Sequence, residues 1–174
     1  MRQKLLSLFV ALTMGCHLVA ADPSLEYQVK AACVLNAARF VSWPAAAFAG
    51  GDAPLVIGIL GDNPFGSTLQ DVVGGATVRQ RRITVRRVGL ADARDCHILF
   101  VSRSERDRLP AILGALGDAN VLTISEIDRF VPSGGTIGLA LEQGKIRFEI
   151  NQEAAKRSGL KIDSQFLLLA RGGR

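Results

Sequence analysis

Downstream of residue 21 the chain carries one histidine, His97, which directly follows Cys96. A thiol beside an imidazole could supply a thiolate nucleophile, but adjacent residues on a strand point to opposite faces and cannot form that pair. Ser67 or Ser102 acting with His97 is the remaining route to a hydrolase, and no G-x-S-x-G elbow presents either serine. One histidine and two distant cysteines, Cys33 and Cys96, make a poor zinc set. The run Gly61-Asp62-Asn63-Pro64-Phe65-Gly66-Ser67-Thr68 matches the phosphate-binding pattern G-x-x-x-x-G-K-[ST] except at the lysine, where Ser67 stands. That lysine would meet the β and γ phosphates, and Pro64 has no N–H for a phosphate cradle. The run therefore reads as a strand-to-helix turn. From these residues we expect no enzyme, no cofactor and no metal site.

The densest charge feature is Arg79, Arg81, Arg82, Arg86 and Arg87. One reading is a solvated edge strand whose arginines discourage edge pairing. The sharper reading makes Arg79, Arg81, Arg82 and Arg86 a docking patch for an acidic protein or for anionic headgroups. Arg103, Arg106 and Arg108 would extend the patch if the next helix packs beside it.

The elements that must position these residues follow from periodicity. Pro23 and Ser24 open a long helix with Val29, Cys33, Asn36 or Ala37, and Phe40 on one largely apolar face, ending at Trp43-Pro44. Asn36 on that face reads as a buried amide bonded to backbone rather than a ligand contact. Residues 55–60 form a continuous apolar run, as a strand buried on both faces does. A short helix over 64–73 ends at Gly74-Gly75, and residues 82–88 alternate, with Ile83 and Val85 opposite Arg82, Thr84 and Arg86. Residues 96–101 make a second buried strand. Ser104 can cap a helix over 105–116 whose buried stripe is Leu109, Ile112, Leu113 and Leu116. A strand at 121–124 precedes a hairpin of 137–141 and 146–150, and Asn151 and then Asp163 or Ser164 start two short helices. The expected class is α/β, a layered mixed β-sheet flanked by helices and ending in a β-hairpin and two short helices.

Composition narrows the setting. Residues 1–21 open with Arg2 and Lys4, continue uncharged from Leu5 to Ala20, and end in small residues, as a secretory signal does. Gly15-Cys16 offers the alternative of a lipid anchor at Cys16, although Thr13 stands where a lipoprotein signal usually has Leu. Cleavage after Ala21 leaves 153 residues, 22–174, enough for one domain with its own core. The net charge falls from +5 to +3, too small an excess to argue for nucleic acid. In an oxidising compartment two cysteines suggest a bridge. Cys33 on a helix and Cys96 at the start of a strand also suit plain packing positions, which is the preferred reading, with a Cys33–Cys96 disulfide as the alternative.

Several segments together resemble a known family. Glu26-Tyr27-Gln28-Val29-Lys30-Ala31-Ala32 leading through Asn36 and Phe40 to Trp43-Pro44, the turn Gly61–Gly66, and Cys96–Ser102 all fit it. So does the tail: Gly134-Gly135, Arg147-Phe148-Glu149-Ile150-Asn151, Ala154-Ala155, Gly159-Leu160, then Ser164 before Leu167–Ala170. The chain resembles the YfiR-like family of exported bacterial proteins from about Glu26 to Ala170. The resemblance implies a periplasmic regulator without catalytic activity. Such a regulator represses an inner-membrane diguanylate cyclase by touching its periplasmic sensor part, which lowers cyclic di-GMP and biofilm formation. It can in turn be sequestered by an outer-membrane lipoprotein. Self-association into a homodimer stays open, and so does a periplasmic small-ligand-binding module as the alternative function. One departure stands out: many relatives carry a cysteine at the position of Gly58 as the partner of the one at Cys96, and Gly58 cannot serve.

Protein recovered from the periplasmic fraction should begin at Asp22 and show two alkylatable thiols under denaturing, non-reducing conditions. Intact mass before and after alkylation reads both. An acylated species beginning at Cys16, or a peptide joining Cys33 to Cys96, reverses the respective expectation.

Overall fold

The computed structural model describes residues 23–171. The expected signal segment over residues 1–21, with Cys16, lies outside the described residues. In chain order the elements are α1 (Pro23–Phe40), β1 (Val41–Ser42), β2 (Leu55–Leu60), α2 (Thr68–Val73), β3 (Thr77–Val78), β4 (Arg81–Val88), β5 (Ile98–Val101), α3 (Leu109–Leu116), β6 (Leu122–Ser125), β7 (Ile137–Glu142), β8 (Lys145–Ile150), α4 (Gln152–Arg157), β9 (Lys161–Ile162) and α5 (Ser164–Arg171). Two 3-10 stretches, Leu90–Asp95 and Arg103–Arg108, flank β5.

Seven strands form one mixed sheet in the order β3-β4-β2-β5-β6-β7-β8. β4, β2, β5, β6 and β7 run parallel, and the antiparallel strands β3 and β8 close the two ends. β2, β5 and β6 are buried nearly throughout; β2 and β5 supply both faces with continuous apolar runs, whereas β6 alternates Leu122 and Ile124 with buried Thr123 and Ser125. On one face Ile57, Ile59, Ile98, Phe100, Leu122 and Ile124 meet Ala31, Val34, Leu35 and Ala38 of α1 and Leu69 of α2. On the other, Leu60, Leu99 and Val101 meet Leu109, Ile112 and Leu116 of α3 and Ala93 of the preceding 3-10 stretch. The layered mixed sheet with flanking helices, the closing hairpin and the two short terminal helices are therefore as the apolar periods indicate.

Several details differ from the sequence expectations, among them that β5 starts at Ile98 and leaves Cys96 and His97 ahead of the strand expected over 96–101. The buried side of α1 is Lys30, Ala31, Val34, Ala37 and Ala38, while Val29 is exposed and Cys33, Asn36 and Phe40 are half-buried. Polar residues Glu26, Gln28, Lys30, Asn36 and Arg39 are scattered around the helix among the apolar ones, so spacing alone points to the wrong stripe. The helix expected over 105–116 is a 3-10 stretch followed by α3, and the Ser104 hydroxyl accepts the Asp62 N–H instead of capping it. Residues 64–67 form a turn, so α2 starts at Thr68. Beyond these, β1 pairs with β9 in a small separate ladder, Val41 opposite Ile162. A stack of Phe40, Phe166 and Phe148, with centroids 5.6 and 5.2 Å apart, ties α1, α5 and the hairpin together. The hairpin turns on Gln143 and Gly144, at φ 50 and 75°, the two-residue geometry that matches strand twist.

The Phe130 ring occupies the place where a Cβ on Gly135 would sit, whereas a Cβ on Gly114 of α3 meets open space. Gly135→Ala should cost about 1–3 kcal/mol through overpacking. Gly114→Ala should instead stabilise by about 0.5–1 kcal/mol by restricting the unfolded chain. Urea midpoints of the two variants should move in opposite directions, and a common direction contradicts the packing described.

Candidate docking surface and the ionic network behind it

The four candidate arginines do not form one patch. Arg79 sits at the β3–β4 turn with φ 49° and donates to the Ser42 hydroxyl. Arg81 donates to the Gly50 and Ala53 carbonyls at 2.9 and 2.6 Å and lies 3.9 Å over the Phe48 ring. Both therefore hold neighbouring loops. Arg82 and Arg86 share the other side of β4 with Thr84, and all three are exposed. Arg87 is exposed too and donates to the Gly61 carbonyl at 3.1 Å. In the second arginine group each side chain has a local partner. Arg106 pairs with Asp128 at 2.7 Å, Arg108 with Glu105 at 2.9 Å, and Arg103 donates to the Glu126 carbonyl at 3.4 Å.

Alternation separates the two cysteines. Cys96 belongs to the core layer under α3, and Cys33 packs against the layer under α1. Both are free thiols, and the sheet stands between the two layers. Burial raises the pKa of each; Arg86 beside Cys96 works against that rise without cancelling it. The Cys96 sulfur rests on Gly58, where a Cβ would lie only 2.5 Å from it.

His97 is committed to structure. Its Nδ1 accepts the Val56 N–H at 3.0 Å, and its Nε2 lies 3.1 Å from the Ala47 carbonyl, which makes Nε2 the protonated nitrogen. Phe48 stacks on the ring at 4.2 Å. Burial lowers the imidazole pKa, the Ala47 bond works the other way, and Arg81 adds to the lowering. With both nitrogens held by backbone, the ring is not positioned as a base for Ser67 or Ser102. The Gly61–Gly66 run is likewise held from within. Asn63 accepts the Phe65 N–H and donates to the Gly66 carbonyl, while Phe65 packs edge-on against Phe100. Of the larger cavities, one of 440 Å³ is lined by Lys30, Arg103, Glu126 and Leu139, and one of 620 Å³ has His97 in its wall with Val56 and Arg94.

The most polar part of the interior carries no sequence motif. The Lys30 ammonium, on a side chain only 2 % exposed, bridges Glu26 of α1 and Glu126 just past β6. Tyr27 donates its hydroxyl to the Glu126 carboxylate at 3.1 Å, and its ring lies 4.6 Å from the Lys30 nitrogen. Burial alone would lower the lysine pKa, but the hydrogen bonds with Glu126 and Glu26 outweigh it and hold it above its ordinary value. The Glu26–Lys30 spacing of four residues is visible in the sequence; Glu126, 96 residues further on, is not. This cluster clamps α1 to the end of β6 and forms one wall of the 440 Å³ cavity.

The YfiR/HmsC-like family model (DUF4154) matches residues 27–171, almost every residue described. The chain belongs to the YfiR/HmsC-like family. No curated protein matches it significantly. YfiR-like proteins are regulators rather than catalysts, are periplasmic in general, and act through contact with other proteins. Among the described residues no helix is long and apolar enough to cross a membrane.

Removing one member of the buried pair strands the other. Lys30→Met should destabilise the fold by about 3–5 kcal/mol, because Glu126 keeps its charge without its counter-ion. Adding Glu126→Gln should recover most of that loss, since Gln still accepts the Tyr27 hydroxyl. Urea unfolding of the single and double variants checks this, and equal losses would show that the charge is already compensated by other groups.

Proposed function

We propose that this protein is exported and represses an inner-membrane diguanylate cyclase by binding its periplasmic sensor part. Cyclic di-GMP, and with it biofilm formation, falls as a result. The observation that carries the reading is membership of a regulatory family along residues 27–171. The site agrees with it in kind. His97 is occupied by backbone, both thiols are held protonated by burial, and the free functional groups are exposed arginines suited to an acidic protein surface. Residues 1–21 act as the cleaved export signal, and 22–174 as one folded unit. An outer-membrane lipoprotein sequesters the regulator when repression is relieved. A second reading, a small-ligand module, draws on the 440 Å³ cavity beside Lys30 and Glu126.

Deleting the gene should raise cellular cyclic di-GMP, and an exported copy should lower it again. A copy lacking residues 1–21 should fail to rescue, because it stays on the wrong side of the membrane from its target. Unchanged cyclic di-GMP in the deletion strain, with the candidate cyclase confirmed to be expressed, removes the regulator reading and leaves the ligand module.

A further inference from the structure

β4 has a well-paired inner edge and an almost bare outer one. β2 pairs with it from Leu55 opposite Ile83 to Leu60 opposite Val88. β3 covers the outer side at two positions only, Thr77 opposite Arg82 and Val78 opposite Arg81. From Ile83 to Val88 no further strand among the described residues pairs on that side. Six residues leave about 20 Å of edge at ~3.3 Å each, with every second residue turning its N–H and C=O outward.

The side chains around this edge are sorted by face. Ile83 and Val85 pack on the core with Val72 and Ala76. On the opposite face Val88 joins the layer of α3 and Arg86 reaches Cys96 at its margin, while Arg82, Thr84 and Arg86 remain exposed. Among the described residues none of the five arginines from Arg79 to Arg87 belongs to an ion pair, whereas Arg106 and Arg108 do. No arginine along β4 is therefore neutralised by a direct ion pair.

We propose that the outer edge of β4, from Ile83 to Val88, accepts an extended acidic segment of a partner protein as an additional strand. The proposal rests on the protein-binding reading above and specifies how the contact is made. Backbone hydrogen bonds along the edge supply affinity, and alternate side chains supply specificity. Carboxylates at every second position of the incoming strand fall directly opposite Arg86 and, across from Thr84, on the diagonal to Arg82, whose own opposite position Thr77 holds. Residues between them face Val72 and Ala76 and favour small apolar side chains. A second copy of this chain is the wrong occupant, because edge-to-edge pairing would set arginines against arginines.

The test uses the exported protein and a fluorescent synthetic peptide alternating Glu with Val, followed by anisotropy and by hydrogen exchange with mass spectrometry. Binding should weaken with added salt and should slow exchange of the amides from 83 to 88. The same peptide N-methylated at alternate residues should bind about tenfold more weakly or not at all, since the strand ladder is blocked. Arg82→Glu with Arg86→Glu should abolish binding at an unchanged thermal midpoint. Equal binding of the N-methylated peptide, protection elsewhere, or binding to phosphatidylglycerol vesicles but not to the peptide each overturns strand addition. In the deletion strain, full rescue of cyclic di-GMP by the Arg82→Glu/Arg86→Glu protein overturns the edge and leaves the regulator intact. A deletion without effect on cyclic di-GMP instead removes the regulator reading, and the peptide arm still decides the edge.

Discussion

Strands β2, β5 and β6 are closed by side chains on both faces, so their backbone groups must find nearly all their hydrogen bonds within the sheet. That constraint dictates the rest of the architecture. Parallel pairing needs crossovers, and the crossovers place α2 on one side and α3 on the other. Cover runs out toward the outer strand: α1 and α2 still shield Ile83 and Val85, but α3 does not extend over Arg82, Thr84 and Arg86. The exposed arginine face is thus what remains once the central strands have been covered.

The ionic cluster of Lys30, Glu26, Glu126 and Tyr27 serves this frame in a different way. A buried ion pair adds little net stability over an apolar replacement, yet it tolerates few geometries. Glu126 accepts from both Lys30 and Tyr27, and their fixed separation on α1 sets the rotation and height of that helix over the sheet. A helix whose polar and apolar residues are mixed around its circumference has only a weak preference for which face it buries. Pairing Lys30 with Glu126 selects one.

Much of the fold can be read locally. Residues 55–60 and 98–101 declare buried strands by continuous apolar character, and Gln143-Gly144 declares a tight hairpin. Alternation along 82–88 correctly puts Arg82 and Arg86 on one side, away from Ile83 and Val85. What escapes a sequence reading is long-range. The roles of Arg79 and Arg81 depend on Ser42 and on the loop from Phe48 to Ala53, roughly thirty residues earlier and folded back against β4. Strands as short as β1, β3 and β9 have no period to detect, and the burial of Lys30 is set by a carboxylate on a distant strand end.

The contact of Gly58 with Cys96 constrains how this pair of positions can drift over evolutionary time. Any side chain introduced at 58 meets the sulfur at 2.5 Å, so alanine or serine there would have to push the thiol off its seat between β2 and the 3-10 stretch before β5. Cysteine is the exception among substitutions, because it can exchange the collision for a covalent bond. The two sites therefore have a pair of stable lineages, glycine over a free thiol or two cysteines joined, with few viable steps between them. A descendant losing Cys96 first removes the closest obstacle at 58 and leaves Val88 and Leu99 at 3.0 and 3.3 Å; one changing Gly58 first must displace the thiol as well.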